Sequence, residues 1–218
     1  MTDTEVCARI HEIGIIPAIR VSSAEEALFA AEAVATAGIP IVEVTMTVPG
    51  ATEVIAGLRR QYPEVIVGAG TVHDIDTAKR CLDAGTQFLT STGLDLSIVE
   101  FALESKVLVF PGVLTPSEVL AARKTGCGMV KIFPCSQVGG PSYIRALKAP
   151  FPDVRFIASG GVTQSTAAEF LLAGAVALGV GGELIPHKAI ERRERNWIRE
   201  LARRFMGIMA EARQQLGH

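Results

Sequence analysis

The chain has 218 residues, of which 49% are hydrophobic and 20% are charged, and its formal net charge is −2. Such a balanced charge argues against a nucleic-acid-binding protein, because those proteins carry a strongly basic face. Its 21 glycines and 11 prolines interrupt every apolar run before it reaches the roughly 18 residues of a membrane span. We therefore expect neither a nucleic-acid partner nor a membrane partner.

The N-terminal sequence and the cysteines indicate a cytoplasmic protein. Residues 1–10 lack the basic and apolar regions of a signal peptide. The cysteines are dispersed and form no CxxC pair, so free thiols are expected, and neither a disulfide scaffold nor a structural zinc site. These cysteines are Cys7, Cys81, Cys127 and Cys135.

Eight short apolar runs recur along the chain and predict eight β-strands. They cover residues 14–20, 39–46, 64–70, 86–91, 106–112, 128–133, 154–160 and 175–181. The segments between them are amphipathic and carry helix start signals, the strongest being Thr115, Pro116 and Glu118, with others at 22–26 and 163. Four glycines mark predicted helix ends, where a left-handed residue is favoured: Gly38, Gly85, Gly126 and Gly174.

Strict alternation of strands and helices predicts a parallel sheet. An open, doubly wound sheet and a closed (β/α)₈ barrel both satisfy this pattern. An open sheet leaves edge strands, which are usually short, charged or proline-containing, and no run here is markedly polar. We therefore predict a compact (β/α)₈ barrel that occupies residues 1–218 as a single domain.

Both ends of the chain predict helices outside the barrel. Residues 4–13 predict an extra N-terminal helix that closes the bottom of the barrel. Residues 187–218 hold eight Lys or Arg and four Glu, and apolar side chains recur there at helical spacing: Ile198, Leu201, Phe205 and Ile208 or Met209. A basic arm that binds anions would explain the charge, but we favour a long final helix with a solvated basic face.

Two charged residues interrupt apolar strands near their carboxyl ends, where barrels of this kind build their active sites. Glu43 lies in the second predicted strand and Lys131 in the sixth. Alternate strands contribute side chains to one layer of the barrel, so an inward-facing pair would meet near the axis. A purely structural buried pair is a weak explanation, since packed apolar residues in its place are often as stable or more stable.

A lysine beside a carboxylate in a barrel mouth points to imine chemistry. Burial favours the neutral amine, which attacks carbonyl groups and forms a Schiff base. The protonated imine withdraws electrons from a neighbouring C–C or C–H bond, and the carboxylate can move protons. This chemistry needs no metal or cofactor, and we expect neither. We therefore assign Lys131 and Glu43 as the catalytic residues.

Other candidates come from the ends of further strands. Arg20 ends the first strand and could bind a carboxylate or phosphate, or face solvent. The pairs Gly160, Gly161 and Gly181, Gly182 follow the last two strands and precede helix starts, where anions bind; tight turns alone would also explain them. Cys135 could be a catalytic thiol, but we interpret it as a small apolar filler.

Five short motifs, in order, resemble those of the KDPG/KHG aldolases. They are Val-Glu-Val-Thr at 42–45, Val-Gly-Ala-Gly-Thr-Val at 67–72, Phe-Pro-Gly at 110–112, Val-Lys-Ile-Phe-Pro at 130–134 and Ser-Gly-Gly-Val at 159–162. The resemblance runs from about residue 10 to residue 190. It implies a homotrimeric, cytoplasmic class I aldolase of carbohydrate metabolism, of the Entner–Doudoroff type. Its substrate would be 2-keto-3-deoxy-6-phosphogluconate or 4-hydroxy-2-oxoglutarate, cleaved to pyruvate and an aldehyde.

The resemblance also implies roles for individual residues. Lys131 matches the Schiff-base lysine, Glu43 matches the general acid and base, and Phe133 matches the aromatic residue beside the lysine. Thr71 matches a residue near the pyruvyl group. Further substrate contacts are expected at Thr45, Gly70, Thr92 and Ser159.

The sequence departs from the family pattern in three places. Thr47 occupies the position of an arginine that contacts the keto-acid carboxylate. Thr92 replaces the proline of a Ser-Pro-Gly motif, and Glu183 replaces a serine that helps to hold phosphate. Two alternatives stay open: a phosphate-binding barrel enzyme that uses the two glycine pairs and works without an imine, and, because Thr47 replaces the arginine, a barrel that binds a keto acid and has lost turnover.

Overall fold

The computed structural model describes residues 2–217 and shows alternating parallel strands and helices throughout. The strands are β1 (Ile15–Ile19), β2 (Ile41–Thr45), β3 (Ile66–Gly70), β4 (Phe88–Thr90), β5 (Leu108–Phe110), β6 (Gly112–Val113), β7 (Val130–Ile132), β8 (Phe156–Ser159) and β9 (Ala175–Val180). The helices are α1 (Asp3–Ile13), α2 (Ala24–Ala35), α3 (Ala51–Gln61), α4 (Ile75–Asp83), α5 (Leu96–Glu104), α6 (Pro116–Lys124), α7 (Pro141–Lys148), α8 (Gln164–Leu172), α9 (His187–Glu191) and α10 (Arg195–Leu216).

One sheet contains all of these strands, in the order β5-β4-β3-β2-β1-β9-β8-β7-β6. Its two outermost strands, β5 and β6, divide the end of the run predicted as one strand at 106–112, and β6 extends one residue beyond it. Pro111 separates them because it has no backbone N–H to donate to a ladder. Its carbonyl oxygen instead accepts a hydrogen bond from the Lys131 backbone N–H at 2.9 Å. The chain itself therefore joins the two ends of the sheet, and the predicted (β/α)₈ barrel is confirmed.

The predicted start and end signals of the helices are present in the structure, and one capping interaction is displaced by one residue. Thr115 and Glu118 form a capping box at the start of α6. At the start of α2, Ser23 caps the helix, but the Glu26 carboxylate accepts from the backbone N–H and hydroxyl of Ser22, one residue earlier. The four predicted helix-end glycines all have positive φ angles: Gly38, Gly85, Gly126 and Gly174.

Both terminal helices pack against the barrel as predicted. In α1, Val6, Ile10 and Ile13 are buried. In α10, Ile198, Leu201, Phe205 and Met209 are buried, which selects Met209 over Ile208 as the fourth apolar position. Arg195 on α10 makes an ion pair with Glu32 on α2 at 2.6 Å. Part of the basic charge of α10 thus binds the helix to the barrel, and α10 does not form a free arm.

Within residues 2–217, no helix is both long enough and apolar enough to cross a bilayer.

Candidate active site

A cavity of about 510 Å³ opens at the carboxyl ends of the barrel strands. Eleven of the residues predicted from the sequence line it: Arg20, Glu43, Thr92, Lys131, Phe133, Ser159, Gly160, Gly161, Gly181, Gly182 and Glu183. Thr45, Thr47, Gly70 and Thr71 are not among its lining residues. The fold thus brings most of the candidates together in one place.

Lys131 and Glu43 meet at the base of this cavity. Nζ of Lys131 lies 3.4 Å from Oε1 of Glu43, and the two side chains are 6% and 4% exposed. Nζ also donates a hydrogen bond to Thr90 Oγ1 at 3.3 Å and lies 5.6 Å from the centre of the Phe133 ring. The predicted pair is therefore a direct contact between two strands, β2 and β7, that are not neighbours in the sheet.

Two glycines of β3 make room for the large side chains beside them. A Cβ on Gly70 would lie 2.1 Å from Oε1 of Glu43, and a Cβ on Gly68 would lie 2.1 Å from the Phe88 ring. Such distances exclude any side chain at these positions unless its neighbour moves. At Gly70, where the sequence predicts a substrate contact, the group that approaches the backbone is the Glu43 carboxylate.

Arg20 reaches the cavity from the end of β1. Its side chain is exposed, and Nη2 donates a hydrogen bond to Thr71 Oγ1 at 3.2 Å. Thr71 has a φ angle of 61°, a left-handed conformation that is a genuine outlier for a β-branched residue. Thr71 does not line the cavity, but its hydroxyl accepts a hydrogen bond from Arg20, which does.

The two threonines of the β2 turn are bound to each other. Thr45 Oγ1 donates to the carbonyl oxygen of Ile19 at 3.0 Å and shares a hydrogen bond of 2.8 Å with Thr47 Oγ1. Thr45 is buried and Thr47 is exposed. Their hydroxyls stabilise the junction between β1 and β2, so Thr47 does not stand in for an arginine side chain that reaches the cavity.

Four glycines and an acid form the outer end of the cavity. Gly160 and Gly161 have φ angles of 90° and 83°, and a Cβ on either would lie within 2.8 Å of Pro134 or Ser136. Only glycine fits both this backbone conformation and this space. Gly181 and Gly182 lead to Glu183, which is exposed at the cavity wall.

Several lining residues were not predicted from the sequence. They are Ala18, Val21, Val162, Gly179, Ile185 and His187. His187, at the start of α9, pairs with Glu191 at 3.3 Å, and its place in the cavity depends on how the chain turns after β9. Thr90, which contacts Lys131, was also missed, although it is, like Glu43, a polar residue in an apolar strand.

Two further polar side chains considered in the sequence analysis are those of Cys135 and Ser159. Cys135 is fully buried, and burial raises the pKa of its thiol to about 11. It is therefore protonated at neutral pH, which fits the predicted filler and not a nucleophile. Ser159 is 5% exposed, lines the cavity, and its hydroxyl makes no hydrogen bond to any part of the chain between residues 2 and 217.

The fold and this site define a (β/α)₈-barrel enzyme with a buried lysine–carboxylate pair in its mouth. The family model of KDPG and KHG aldolase matches residues 6–201. The 2-dehydro-3-deoxy-phosphogluconate aldolase of Pseudomonas aeruginosa is 32% identical over 204 residues, 94% of this chain and 93% of the relative. The KHG/KDPG aldolase of Escherichia coli K12 is 32% identical over 189 residues, 87% of this chain and 89% of the relative.

A solved structure agrees with these sequence relatives. The KDPG aldolase of Legionella pneumophila superposes with a TM-score of 0.85 at 30% identity, covering 90% of this chain and 95% of that one. That structure holds pyruvate captured at low pH as a covalent carbinolamine intermediate. The chain belongs to the KDPG and KHG aldolase family, and it is an aldehyde-lyase.

Proposed function

We propose that this aldolase reversibly cleaves a 2-keto-3-deoxy sugar acid or a related 4-hydroxy-2-oxo acid to pyruvate and an aldehyde, through an imine on Lys131. The observation that carries the proposal is the 3.4 Å contact between Lys131 and Glu43 in a buried site open to a cavity. The covalent carbinolamine of the Legionella pneumophila relative supports it, because a carbinolamine forms when an amine adds to a carbonyl group.

The chemistry follows from the two side chains. The Lys131 lone pair bonds to the keto carbon while the carbonyl π electrons move to oxygen, and a proton passes from the nitrogen to that oxygen. The hydroxyl of the resulting carbinolamine then takes up a proton and leaves as water, while the nitrogen lone pair forms a C=N bond. The iminium then accepts the electrons of the breaking C3–C4 bond as the C4 hydroxyl gives up its proton and becomes the aldehyde. Glu43 is the group that we expect to move these protons and the proton of the pyruvyl methyl carbon.

The cavity walls suggest how the substrate lies. We expect Arg20 and the Thr92 hydroxyl to bind the keto-acid carboxylate, with Thr71 holding Arg20. The unpartnered hydroxyl of Ser159 and the apolar ring of Phe133 would face the reacting carbons. The aldehyde end would then extend toward the glycines and acid of the outer end: Gly160, Gly161, Gly181, Gly182 and Glu183.

Trapping with pyruvate and borohydride tests the proposal. Borohydride reduces the imine to a stable amine, and peptide mapping by mass spectrometry locates the adduct. We expect the adduct on Lys131. Lys148 is the internal control, because burial lowers the pKa of its amine, yet it donates to the Val154 carbonyl oxygen and lies outside the cavity. No adduct, or an adduct on Lys148, would contradict the mechanism.

We also propose that the chain forms a homotrimer, on the support of the resemblance and of one apolar groove. The groove lies between α5 and α6, and three exposed leucines line it: Leu96, Leu103 and Leu120, at 42%, 38% and 43% exposure. Glu100 and Lys124 also line the groove and offer a negative and a positive charge to a neighbouring copy. Light scattering should give three times the 23.1 kDa chain mass, and Leu120→Glu should lower it. A monomeric wild-type chain would overturn the proposal.

We further propose that residues 1–218 act as one domain in the cytoplasm. One sheet contains every strand of the described residues, and α1 and α10 both bury apolar side chains against the barrel. The four cysteines are free thiols, which is the reduced state that the cytoplasm maintains. A single cooperative unfolding transition is expected, and two separate transitions would contradict the single domain.

A further inference from the structure

A buried hydroxyl contacts the reactive nitrogen of Lys131. Thr90 lies at the carboxyl end of β4 and is 1% exposed. Its Oγ1 accepts a hydrogen bond from Lys131 Nζ at 3.3 Å, about the distance that separates Nζ from Glu43 Oε1. Within residues 2–217, this hydroxyl has no other hydrogen-bond partner. Lys131 is thus the one group on which it acts.

The surroundings of Thr90 would otherwise favour an apolar side chain. Phe88 and Leu89, which complete β4, are both fully buried. Valine has the shape of threonine without the hydroxyl, and a buried hydroxyl destabilises the folded state unless it is hydrogen-bonded. Packing of the strand therefore gives no reason for the hydroxyl, whereas its contact with Nζ does.

We propose that Thr90 is a positioning residue that directs the lone pair of Lys131 toward the substrate, a proposal that rests on the imine mechanism above. A neutral lysine amine has two N–H bonds and one lone pair in a roughly tetrahedral arrangement. When Thr90 Oγ1 and Glu43 Oε1 each accept one N–H, the remaining direction belongs to the lone pair. Lys131 lines the cavity, so that direction leads to the bound keto group.

The same contact is useful after the imine forms. The iminium nitrogen keeps a single N–H, and Thr90 Oγ1 can accept it. Glu43 is then released from Nζ and can move protons at the substrate carbon. Because a hydroxyl is neutral and a very weak base, Thr90 holds the nitrogen without competing for those protons.

The experiment measures borohydride trapping of pyruvate on the full-length chain, as a function of pyruvate concentration. Thr90→Val should lower the saturating trapping rate about tenfold, the effect of losing one hydrogen bond to the reacting nitrogen. The pyruvate concentration at half-saturation should change by less than about twofold, because Thr90 is not among the residues that line the cavity. Thr90→Ser, which restores the hydroxyl, should recover the rate.

Thr86→Val is the matched control. Thr86 is a buried threonine just before β4, and its hydroxyl donates to the carbonyl oxygens of Val67 and Phe88, away from Lys131. Thr86→Val should lower the free energy of unfolding without changing the trapping rate of the folded protein. If Thr90→Val does not fold, Thr90→Cys replaces it in the experiment and should lower the trapping rate, because sulfur is a weak hydrogen-bond acceptor.

The outcomes separate this proposal from the proposed function. Wild-type trapping on Lys131 with an unchanged rate in Thr90→Val overturns the role of Thr90 alone. Equal losses in Thr90→Val and Thr86→Val, or no recovery in Thr90→Ser, also overturn it, because they would indicate a structural hydroxyl. Absence of trapping in the wild type removes the imine mechanism and this proposal with it.

Discussion

The side chain of Glu43 occupies the space that a side chain on Gly70 would need. A Cβ on Gly70 would lie 2.1 Å from Oε1 of Glu43 and 2.5 Å from Cδ. The two residues lie on neighbouring strands, two positions apart in register, since β2 and β3 pair with Thr45 opposite Gly70 and Glu43 opposite Gly68. The absence of a side chain on β3 therefore allows the carboxylate on β2 to reach Lys131.

Gly70→Ala should displace the Glu43 carboxylate and slow catalysis while Lys131 still forms the adduct. We expect exchange of pyruvate methyl protons in heavy water, followed by NMR, to fall about 10²-fold, as for a misplaced acid–base group. Gly57→Ala is the control, because Gly57 lies within α3 with no atom near its missing Cβ. Alanine there should stabilise the helix and leave exchange unchanged. Normal exchange in Gly70→Ala would show that Glu43 is not the proton carrier.

Lys131→Met should abolish adduct formation and lower the free energy of unfolding. The substitution leaves the Glu43 carboxylate buried without its partner, and breaking a buried pair in this way costs roughly 3–5 kcal/mol. The double variant Lys131→Met with Glu43→Gln removes that charge and should recover part of the loss in urea unfolding. Equal stabilities of the single and double variants would mean that the pair makes no electrostatic contribution to folding.

Glu43→Gln should separate imine formation from proton transfer. An amide can accept the Lys131 N–H but cannot take up a proton, so the borohydride adduct should still form. Exchange of the pyruvate methyl protons should slow by roughly 10²–10⁴-fold, the usual contribution of general acid–base catalysis. Exchange at the wild-type rate would place the base elsewhere.

Arg20→Ala should weaken pyruvate binding more than Thr47→Ala does. Arg20 lines the cavity, whereas the Thr47 hydroxyl is bound to Thr45 outside it. Loss of a charge-assisted hydrogen bond should raise the pyruvate concentration at half-maximal trapping by about tenfold or more, against less than about threefold for Thr47→Ala. Arg20→Lys keeps the charge and should be intermediate, because it cannot bind in a bidentate manner. The reverse order of the two alanine variants would assign the carboxylate to hydroxyls and backbone amides.

Glu183 should disfavour a substrate that ends in phosphate. Its carboxylate lines the outer end of the cavity, and two like charges about 4 Å apart cost about 1 kcal/mol in water and several times that near a protein surface. Wild type should therefore cleave 2-keto-3-deoxygluconate in preference to its phosphate ester. Glu183→Ser should shift that preference about five- to tenfold toward the ester.

Glu104→Ser, on the far end of α5, is the control for net charge and should leave the preference unchanged. If wild type strongly prefers the phosphorylated substrate and Glu183→Ser does not increase that preference, then Glu183 does not repel phosphate. In that case Arg20 and the backbone amides of Gly160 and Gly161 would bind it.

Much of the fold could be predicted from the sequence because its signals are local. Apolar runs, glycines at helix ends and the capping box of Thr115 and Glu118 each depend on residues a few positions apart. They predict the β/α alternation, the barrel and both terminal helices, all of which the structure contains. The break in the fifth strand was missed, since the pattern of 106–112 is continuous and only the missing N–H of Pro111 divides it.

The sequence by itself determined which two residues carry charge in buried strands, because a lysine and a glutamate in apolar runs stand out without any structure. The tertiary structure decided what each of them meets. Glu43 and Lys131 are 88 residues apart, and only the closed sheet places Nζ 3.4 Å from Oε1. Thr90 and His187 look ordinary in the sequence, because a single hydroxyl or imidazole gains its meaning from its neighbours. Those neighbours come from distant strands and turns, and the packing of the barrel alone brings them together.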